Sequence, residues 1–431
     1  DIIALCDTQR HPETQGADTA MSELAIHGGA PVRDTPFPAW PVWGEPEEQA
    51  LLETLHSGQW GWSDREDSRV ARFEAAFARS HHAEYGRCVF NGTVALEVAL
   101  RALDIGYGDE VIVPPYTFIA TATACLSVGA LPVFVDIDPD TYTIAPDQIE
   151  AAITPRTRAI IPVHIGGCPS DMDAILQLAH RHDLHVIEDA CQAHAAAWNG
   201  RRVGSLGDLG CFSFQSSKNI NAGEGGIVIT RNEGLAELCW SVRNCGRVRD
   251  GAWYQHERLG SNFRMTEWQG AILLVQVERM EELAARRERS GDYLGDQLSE
   301  IAGIAPQRRD ARVTQHGYHL FIMRYDAEAF DGLPRERFLD ALRAEGIPCS
   351  PGYVPLYRER AIQTATSRLR RFVDGAETAY ELPDCPATER ACAEEGIWLT
   401  QNILLGAERD MDDIVEAIAK IKAHAGELAT A

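Results

Sequence analysis

The chain has 431 residues, of which 45% are hydrophobic and 24% are charged, as in ordinary globular proteins. Its 64 acidic residues outnumber its 40 lysines and arginines, which gives a formal net charge of −24. A surface this acidic repels phosphate backbones and anionic lipids, so we expect no nucleic-acid partner and no membrane partner.

The apolar runs are no longer than strands, and the sequence therefore predicts no membrane-spanning helix. Residues 1–20 carry no secretory pattern, and we interpret them as a disordered or artificial tail ahead of Met21. The eleven cysteines are an odd number without a C-x-x-C pair. This usage favours buried thiols in a reducing cytoplasm over a disulfide framework or a metal site.

From Tyr85 onward, short apolar runs alternate with helical patterns. The runs predict strands over residues 88–90, 111–113, 133–135, 159–163 and 185–187, and the segments between them predict helices over 93–103, 118–128, 146–152 and 172–180. Two further strands, 211–214 and 226–230, follow without a helix between them. This order predicts βαβ units and a mostly parallel sheet that is covered on both faces.

A long amphipathic helix is predicted over about residues 266–294, where it would join two domains. From about residue 318 the pattern becomes that of a smaller α+β unit. We therefore predict a large domain with an N-terminal segment over 21–290, and a small C-terminal domain over 291–431.

Ligands bind an open parallel sheet at the carboxyl ends of its strands, so the residues after each apolar run are candidate site residues. Asn91, Gly92 and Thr93 follow the first predicted strand, and a helix begins there immediately. Backbone N–H groups at such a helix start favour a phosphate. An ordinary helix cap at Thr93 is an alternative that stays open.

The strand over residues 185–187 runs into Asp189. A carboxylate at a partly dry sheet edge needs a cationic partner, and a protonated heterocycle is one such partner. A structural capping role for Asp189 is an equally good interpretation of these residues.

Lys218 follows Ser213 and two further serines, in a loop rich in small residues between two buried strands. Burial in such a loop lowers the pKa of a lysine and makes its amine a nucleophile for carbonyl groups. Pyridoxal 5'-phosphate needs a Schiff-base lysine, a carboxylate at its pyridine nitrogen, a phosphate cup and an aromatic face. The residues that supply these parts are Lys218, Asp189, Ser213 with Gly92 and Thr93, and Phe118.

With these residues in place, the chain resembles the DegT/DnrJ/EryC1/StrS aminotransferases, which are vitamin-B6-dependent enzymes that aminate keto-sugars and keto-cyclitols. The resemblance covers about residues 28–405. It is carried by eight motifs in order, which begin at Asn91, Pro115, Phe134, Pro162, Ile187, Phe212, Gly223 and Asn262.

The resemblance implies an α/β architecture of fold type I, like that of aspartate aminotransferase. It comprises a large domain with a mostly parallel seven-stranded sheet and a smaller α+β C-terminal domain. It also implies a homodimer with shared active sites, in which Asn262 reaches the phosphate bound by the other subunit.

The family's roles map onto matching positions of this chain. Lys218 and Asp189 are the implied catalytic residues, and Gln192 is implied to contact the cofactor ring or its 3-hydroxyl. The implied cofactor-binding residues are Gly92, Thr93, Phe118, Asp189, Gln192, Ser213, Lys218 and Asn262. Phe263 stands where the family commonly has tyrosine.

Two residues are candidate substrate contacts, His164 after its strand and Arg264 beside Asn262. A hydrogen-bonded structural histidine is the competing interpretation of His164. The roles of Tyr353 and Tyr357, and of the tryptophans at 43, 60 and 62, stay open between pocket wall and packing.

We expect a pyridoxal-phosphate-dependent aminotransferase that moves an amino group from L-glutamine or L-glutamate to a keto-sugar or keto-cyclitol. Secondary-metabolite or surface-sugar biosynthesis is the expected setting. One alternative is an aromatising dehydration like that of the aminohydroxybenzoate synthases, and another is a non-catalytic regulator that keeps the fold. The presence of Lys218 disfavours the family's sugar dehydratases, which have histidine at that position.

Overall fold

A computed structural model describes residues 23–375 and 380–430. The tail predicted over residues 1–20 lies outside the described residues. None of the described helices combines the length and the apolar character needed to cross a lipid bilayer.

The strands and α-helices follow one another in chain order. The strands are β1 (Tyr85–Val89), β2 (Glu110–Val113), β3 (Leu131–Phe134), β4 (Thr157–Ile160), β5 (His185–Asp189), β6 (Ala197–Trp198), β7 (Arg201–Arg202), β8 (Leu209–Ser213), β9 (Gly226–Thr230), β10 (Ile304–Pro306), β11 (Val313–Gln315), β12 (Leu320–Tyr325) and β13 (Gly396–Thr400). The helices are α1 (Glu45–Ser57), α2 (Arg69–Ser80), α3 (Gly92–Ala102), α4 (Ala120–Val128), α5 (Pro146–Ile149), α6 (Met172–His182), α7 (Glu233–Arg243), α8 (Glu267–Glu278), α9 (Met280–Ser299), α10 (Arg335–Ala344), α11 (Arg360–Asp374), α12 (Pro386–Arg390), α13 (Glu408–Ala423) and α14 (Ala425–Thr430).

The central sheet has seven strands in the order β1-β9-β8-β5-β4-β2-β3. Strand β9 runs antiparallel to both β1 and β8, and the other four pairings are parallel. Every residue of β2, β8 and β9 is buried, because helices cover both faces of the sheet. The predicted fold class, with its mostly parallel seven-stranded sheet, is confirmed.

Helix α2 shows how the apolar pattern places the helices. It begins after the N-cap Ser68, whose hydroxyl accepts a hydrogen bond from the backbone of Ala71. Phe73 and Phe77 are fully buried, and both rings pack edge-on against Phe214.

The helix predicted over about residues 266–294 is two helices, because the chain bends at Arg279 between α8 and α9. The guanidinium of Arg279 donates hydrogen bonds to both carboxylate oxygens of Glu47 in α1, at 2.6 and 3.0 Å. This ion pair connects the junction of α8 and α9 to α1. The apolar periodicity of the sequence continues through the junction, so it does not predict the break.

The small domain contains an antiparallel sheet in the order β10-β12-β13, which packs with α9, α10 and α13. Its hydrophobic core also takes in Leu24, which is 1% exposed. The buried carboxylate of Glu345 accepts hydrogen bonds from the backbone of Ala25 and Val32 and from Lys420. The first described residues therefore pack with the C-terminal core rather than with the large domain, and the boundary at residue 290 stays a prediction.

Candidate active site

A cavity of about 710 Å³ opens where β1, β5 and β8 end, and the small domain closes its other side. Seven of the predicted site residues line it: Gly92, Thr93, Phe118, Asp189, Gln192, Ser213 and Lys218. The C-terminal part of the chain adds Tyr353, Trp398, Thr400, Gln401 and Asn402. The cavity therefore lies at the carboxyl ends of the strands, where ligands bind open parallel sheets.

The start of α3 forms one end of the cavity. The side chain of Asn91 caps the helix by accepting a hydrogen bond from the backbone N–H of Val94, at 2.9 Å. A Cβ atom on Gly92 would lie 2.7 Å from the Cβ of Ser213, so glycine is what allows the helix to start against that residue. The helix start and the Ser213 hydroxyl thus form a cradle with the donors that a phosphate needs.

Lys218 lies in the loop between β8 and β9, half-buried in the wall of the cavity. Burial lowers the pKa of its amine, although the nearby Cys191 and Asp189 partly oppose that shift. A lowered pKa increases the fraction of neutral amine, which is the nucleophilic form.

His319 is a cavity residue that sequence reasoning missed. Its Nε2 lies 3.4 Å from the Lys218 Nζ, and its Nδ1 lies 3.3 Å from the side-chain oxygen of Asn219. The amide nitrogen of Asn219 donates to the carbonyl of Gly317 at 2.6 Å, which leaves the amide oxygen to accept from Nδ1. Nδ1 therefore carries the ring proton, and Nε2 is free to accept a hydrogen bond from the lysine amine. Burial, together with the charge of Lys218, holds the pKa of His319 well below its usual range.

Asp189 ends β5 and is 5% exposed. One carboxylate oxygen accepts a hydrogen bond from the Thr121 hydroxyl at 2.8 Å, and the other accepts from the backbone N–H of Cys191 at 3.2 Å. These two bonds fix the carboxylate beside the cavity. Thr121 lies on α4, and sequence reasoning did not identify it.

Gln192 connects the large domain to the small one. Its side-chain oxygen accepts from the backbone of Gly166 at 2.9 Å, and its amide nitrogen donates to the Tyr353 hydroxyl at 3.0 Å. The Tyr353 ring in turn stands edge-on to Trp398, with 4.5 Å between ring centroids. Tyr353 is thus a wall residue, whereas the Tyr357 hydroxyl donates to Glu389 away from the cavity lining.

His164 is fully buried and lies outside the cavity lining. Its Nε2 lies 3.0 Å from the Glu188 carboxylate, and its Nδ1 accepts a hydrogen bond from the backbone of Ser170. Both ring nitrogens are engaged, so the geometry corresponds to the structural interpretation and gives no support to a substrate contact.

Asn262 and Arg264 also lie outside the cavity of their own chain. Asn262 is exposed and accepts a hydrogen bond from Arg264, whose guanidinium also donates to Asn244 and lies over the ring of Trp62. Among the tryptophans near the start of the chain, Trp40 lines the cavity, whereas those at 43, 60 and 62 do not. The indole N–H of Trp40 donates to the carbonyl of Ser216.

Comparison with known proteins places these features in a family context. Residues 42–417 match the profile of the DegT/DnrJ/EryC1/StrS aminotransferase family. The chain is 42% identical to a Streptoalloteichus tenebrarius protein provisionally named L-glutamine:3-amino-2,3-dideoxy-scyllo-inosose aminotransferase, over 93% of this chain and 98% of that protein. It is 38% identical to the L-glutamine:2-deoxy-scyllo-inosose aminotransferase of the same organism, over 94% and 99%. The crystal structure of 3-amino-5-hydroxybenzoic acid synthase superposes with a TM-score of 0.82 at 34% identity, covering 91% of this chain and all of that one.

Proposed function

This chain belongs to the DegT/DnrJ/EryC1/StrS aminotransferase family, and we propose that it moves an amino group from L-glutamine or L-glutamate to a keto-cyclitol or keto-sugar. The observation that carries this proposal is the half-buried Lys218 amine in one cavity with the Asp189 carboxylate and the start of α3. The relatives named as L-glutamine:scyllo-inosose aminotransferases favour glutamine as the donor and a keto-cyclitol as the acceptor.

Aminotransferases of this family depend on pyridoxal 5'-phosphate, and the cavity fits that group. Gly92, Thr93 and Ser213 would hold the phosphate, because a helix start and a hydroxyl meet there. Asp189 would hold a proton at the pyridine nitrogen, since two hydrogen bonds already orient its carboxylate. Phe118 would cover a ring face. When bound, the cofactor supplies an electron sink for the charge that develops at the donor's α-carbon.

Lys218 would take the proton from the donor's α-carbon and then transfer that proton to the bound cofactor. This work requires a neutral amine, which burial favours by lowering the pKa of Lys218. Nε2 of His319 accepts from the amine, and this hydrogen bond orients the nitrogen lone pair without competing for it.

The acceptor would contact the small-domain side of the cavity. Thr400, Gln401 and Asn402 place hydroxyl and amide groups there, and Trp398 adds an apolar ring face. Hydroxyls and amides match the hydroxyl groups of a polyhydroxylated ring.

The active form in this proposal is a homodimer, with Asn262 reaching the cavity of the second copy. The exposed position of Asn262 supports this arrangement, as do exposed apolar side chains such as Trp43, Trp253 and Leu259, which are 72%, 81% and 83% exposed. A hybrid of one Lys218→Ala chain and one Asn262→Ala chain tests it. If Asn262 serves its partner, the hybrid keeps one cavity with wild-type cofactor affinity. If Asn262 serves its own chain, both cavities are impaired.

The central experiment replaces Lys218 by alanine. The sequence contains three lysines, at 218, 420 and 422, so reduction of the loaded protein with borohydride should attach the cofactor to one tryptic peptide, that of Lys218. We expect Lys218→Ala to lose this label and all turnover of glutamine with a keto-cyclitol. The matched control is Lys422→Ala, which changes a partly buried lysine in α13. This variant should keep both the label on Lys218 and the turnover. Retained turnover in Lys218→Ala would refute the assignment, and failure of the wild type to bind the cofactor would favour a non-catalytic regulator.

A second candidate function is the aromatising dehydration of an aminohydroxybenzoate synthase. The superposition on 3-amino-5-hydroxybenzoic acid synthase is the observation that favours it. The two functions differ in product, because aromatisation yields an arylamine that absorbs in the near ultraviolet. Formation of an amine without an aromatic chromophore would support the aminotransferase.

A further inference from the structure

Trp40 brings an aromatic ring into the cavity wall from the segment that precedes α1. Its side chain is half-buried and lines the cavity. The indole N–H donates to the carbonyl of Ser216 at 3.0 Å, in the loop that carries Lys218. On the other side, the carbonyl of Pro38 accepts a hydrogen bond from the side-chain amide of Asn402 at 2.8 Å. The ring is therefore held between the lysine loop and the small domain.

A buried guanidinium covers one face of the Trp40 ring. The central carbon of Arg287 in α9 lies 5.1 Å from the ring centre, and Arg287 is 1% exposed. A cation over an indole face is attracted most strongly where water is excluded, so this contact fixes the plane of the ring. The face that is left to a ligand in the cavity is the opposite one. The wall at this point is thus a flat apolar surface.

Hydrogen-bond donors stand beside this surface. The Nε of Arg287 donates to the side-chain oxygen of Gln401 at 2.8 Å. A guanidinium donates and never accepts, so it determines which end of the amide points toward it. The amide nitrogen of Gln401, a cavity-lining residue, therefore points away from Arg287 and has no acceptor among the described residues. The wall offers a ring face and two N–H groups together.

We propose that Trp40 and Gln401 form the subsite for the ring of the amino acceptor, an inference that rests on the proposed function. A cyclohexane ring with equatorial hydroxyl groups presents C–H groups on its faces and hydroxyl groups around its rim. One face packs on the indole, and a rim oxygen accepts from the Gln401 amide. L-Glutamine is an open chain without such a face. Trp40 is thus a specificity-determining residue for the acceptor, and Arg287 is the positioning residue that aligns it.

Binding of scyllo-inositol to the cofactor-loaded enzyme, measured by calorimetry, tests the inference without turnover. Every hydroxyl group of scyllo-inositol is equatorial, whereas D-mannitol carries the same number of hydroxyl groups on an open chain and is the matched ligand. We expect the wild type to bind scyllo-inositol more tightly than mannitol. Trp40→Ala should weaken scyllo-inositol binding about tenfold and leave mannitol binding nearly unchanged. Trp40→Phe, which keeps an aromatic ring, should lose less.

Two further variants complete the binding test. Trp60→Ala is the control, because Trp60 is 49% exposed and lies outside the cavity lining, and it should keep both affinities. Arg287→Met removes the cation behind the ring and should reduce the preference for scyllo-inositol over mannitol, whereas general damage to the cavity would weaken both ligands alike. Equal affinity of the wild type for the two polyols would overturn the inference, as would wild-type scyllo-inositol affinity in Trp40→Ala.

A kinetic comparison separates this inference from the proposed function. An aminocyclitol reacts with the loaded enzyme by the acceptor half in reverse, and glutamine reacts by the donor half. Trp40→Ala should slow single-turnover reaction with the aminocyclitol about tenfold more than reaction with glutamine, and equal slowing would overturn the inference. If the wild type reacts with neither amine, the proposed function fails, and the comparison of the two polyols still decides the role of Trp40.

Discussion

Replacing Gly92 by alanine should damage both the fold and the cofactor site. The new Cβ would lie 2.7 Å from the Cβ of Ser213, so α3 or the end of β8 must move by about 0.7 Å to reach the ordinary contact distance of 3.4 Å. Overpacking of this kind costs about 1–3 kcal/mol. Because the shift separates the helix start from the Ser213 hydroxyl, we expect cofactor affinity to fall by about tenfold or more.

Two measurements check this prediction: urea unfolding of the cofactor-free protein, and titration with pyridoxal 5'-phosphate followed by absorbance. Gly61→Ala is the matched control, because a Cβ at Gly61 meets no atom within 4 Å among the described residues. It should change neither quantity. Wild-type cofactor affinity in Gly92→Ala would refute the argument that the approach of Gly92 to Ser213 forms the phosphate cradle.

Three further changes address other parts of the molecule. Thr121→Val removes the hydrogen bond to Asp189 and should lower kcat about tenfold in steady-state assays. An unchanged kcat would show that the Asp189 carboxylate does not act on the cofactor. Glu345→Gln leaves the buried Lys420 ammonium without a counter-charge and should lower the free energy of unfolding in urea by about 3–5 kcal/mol; a change below 1 kcal/mol would contradict the pairing. Burial lowers the pKa of His81 to about 3, so the unfolded chain binds more protons and stability is lost as pH falls from about 6.5 toward 3. Between about pH 7 and pH 5, the free energy of unfolding in urea should therefore fall less for His81→Gln than for the wild type. An equal fall in both proteins would show that other titrating groups determine stability in this pH range.

The part of the site on the large domain could be predicted because it depends on local pattern. Gly92, Asp189 and Ser213 each lie where an apolar run ends, and parallel strands bring such ends to one edge of the sheet. The same rule selects His164, but its neighbours Glu188 and Ser170 engage both of its ring nitrogens. Strand position therefore does not distinguish a cavity residue from a buried partner.

The part of the site on the small domain could not be predicted from local pattern. His319 reaches Lys218 across 101 residues of sequence, and Tyr353 reaches Gln192 across 161. Neither contact has a periodic signal, because each depends on how two domains pack. The bend at Arg279 could not be predicted for a similar reason, because Glu47, the ion-pair partner of Arg279, lies far away in α1.

The hydrogen bonds of Glu345 have a consequence for how the chain is made. The carboxylate holds the backbone of Ala25 across 320 residues and that of Val32 across 313. During synthesis the segment around Leu24 must wait for almost the whole chain before its binding partners leave the ribosome. Contacts of such high sequence separation form late and slowly. The hydrophobic cluster of the C-terminal part therefore includes Leu24, and a fragment that starts at the predicted boundary would lack part of that cluster.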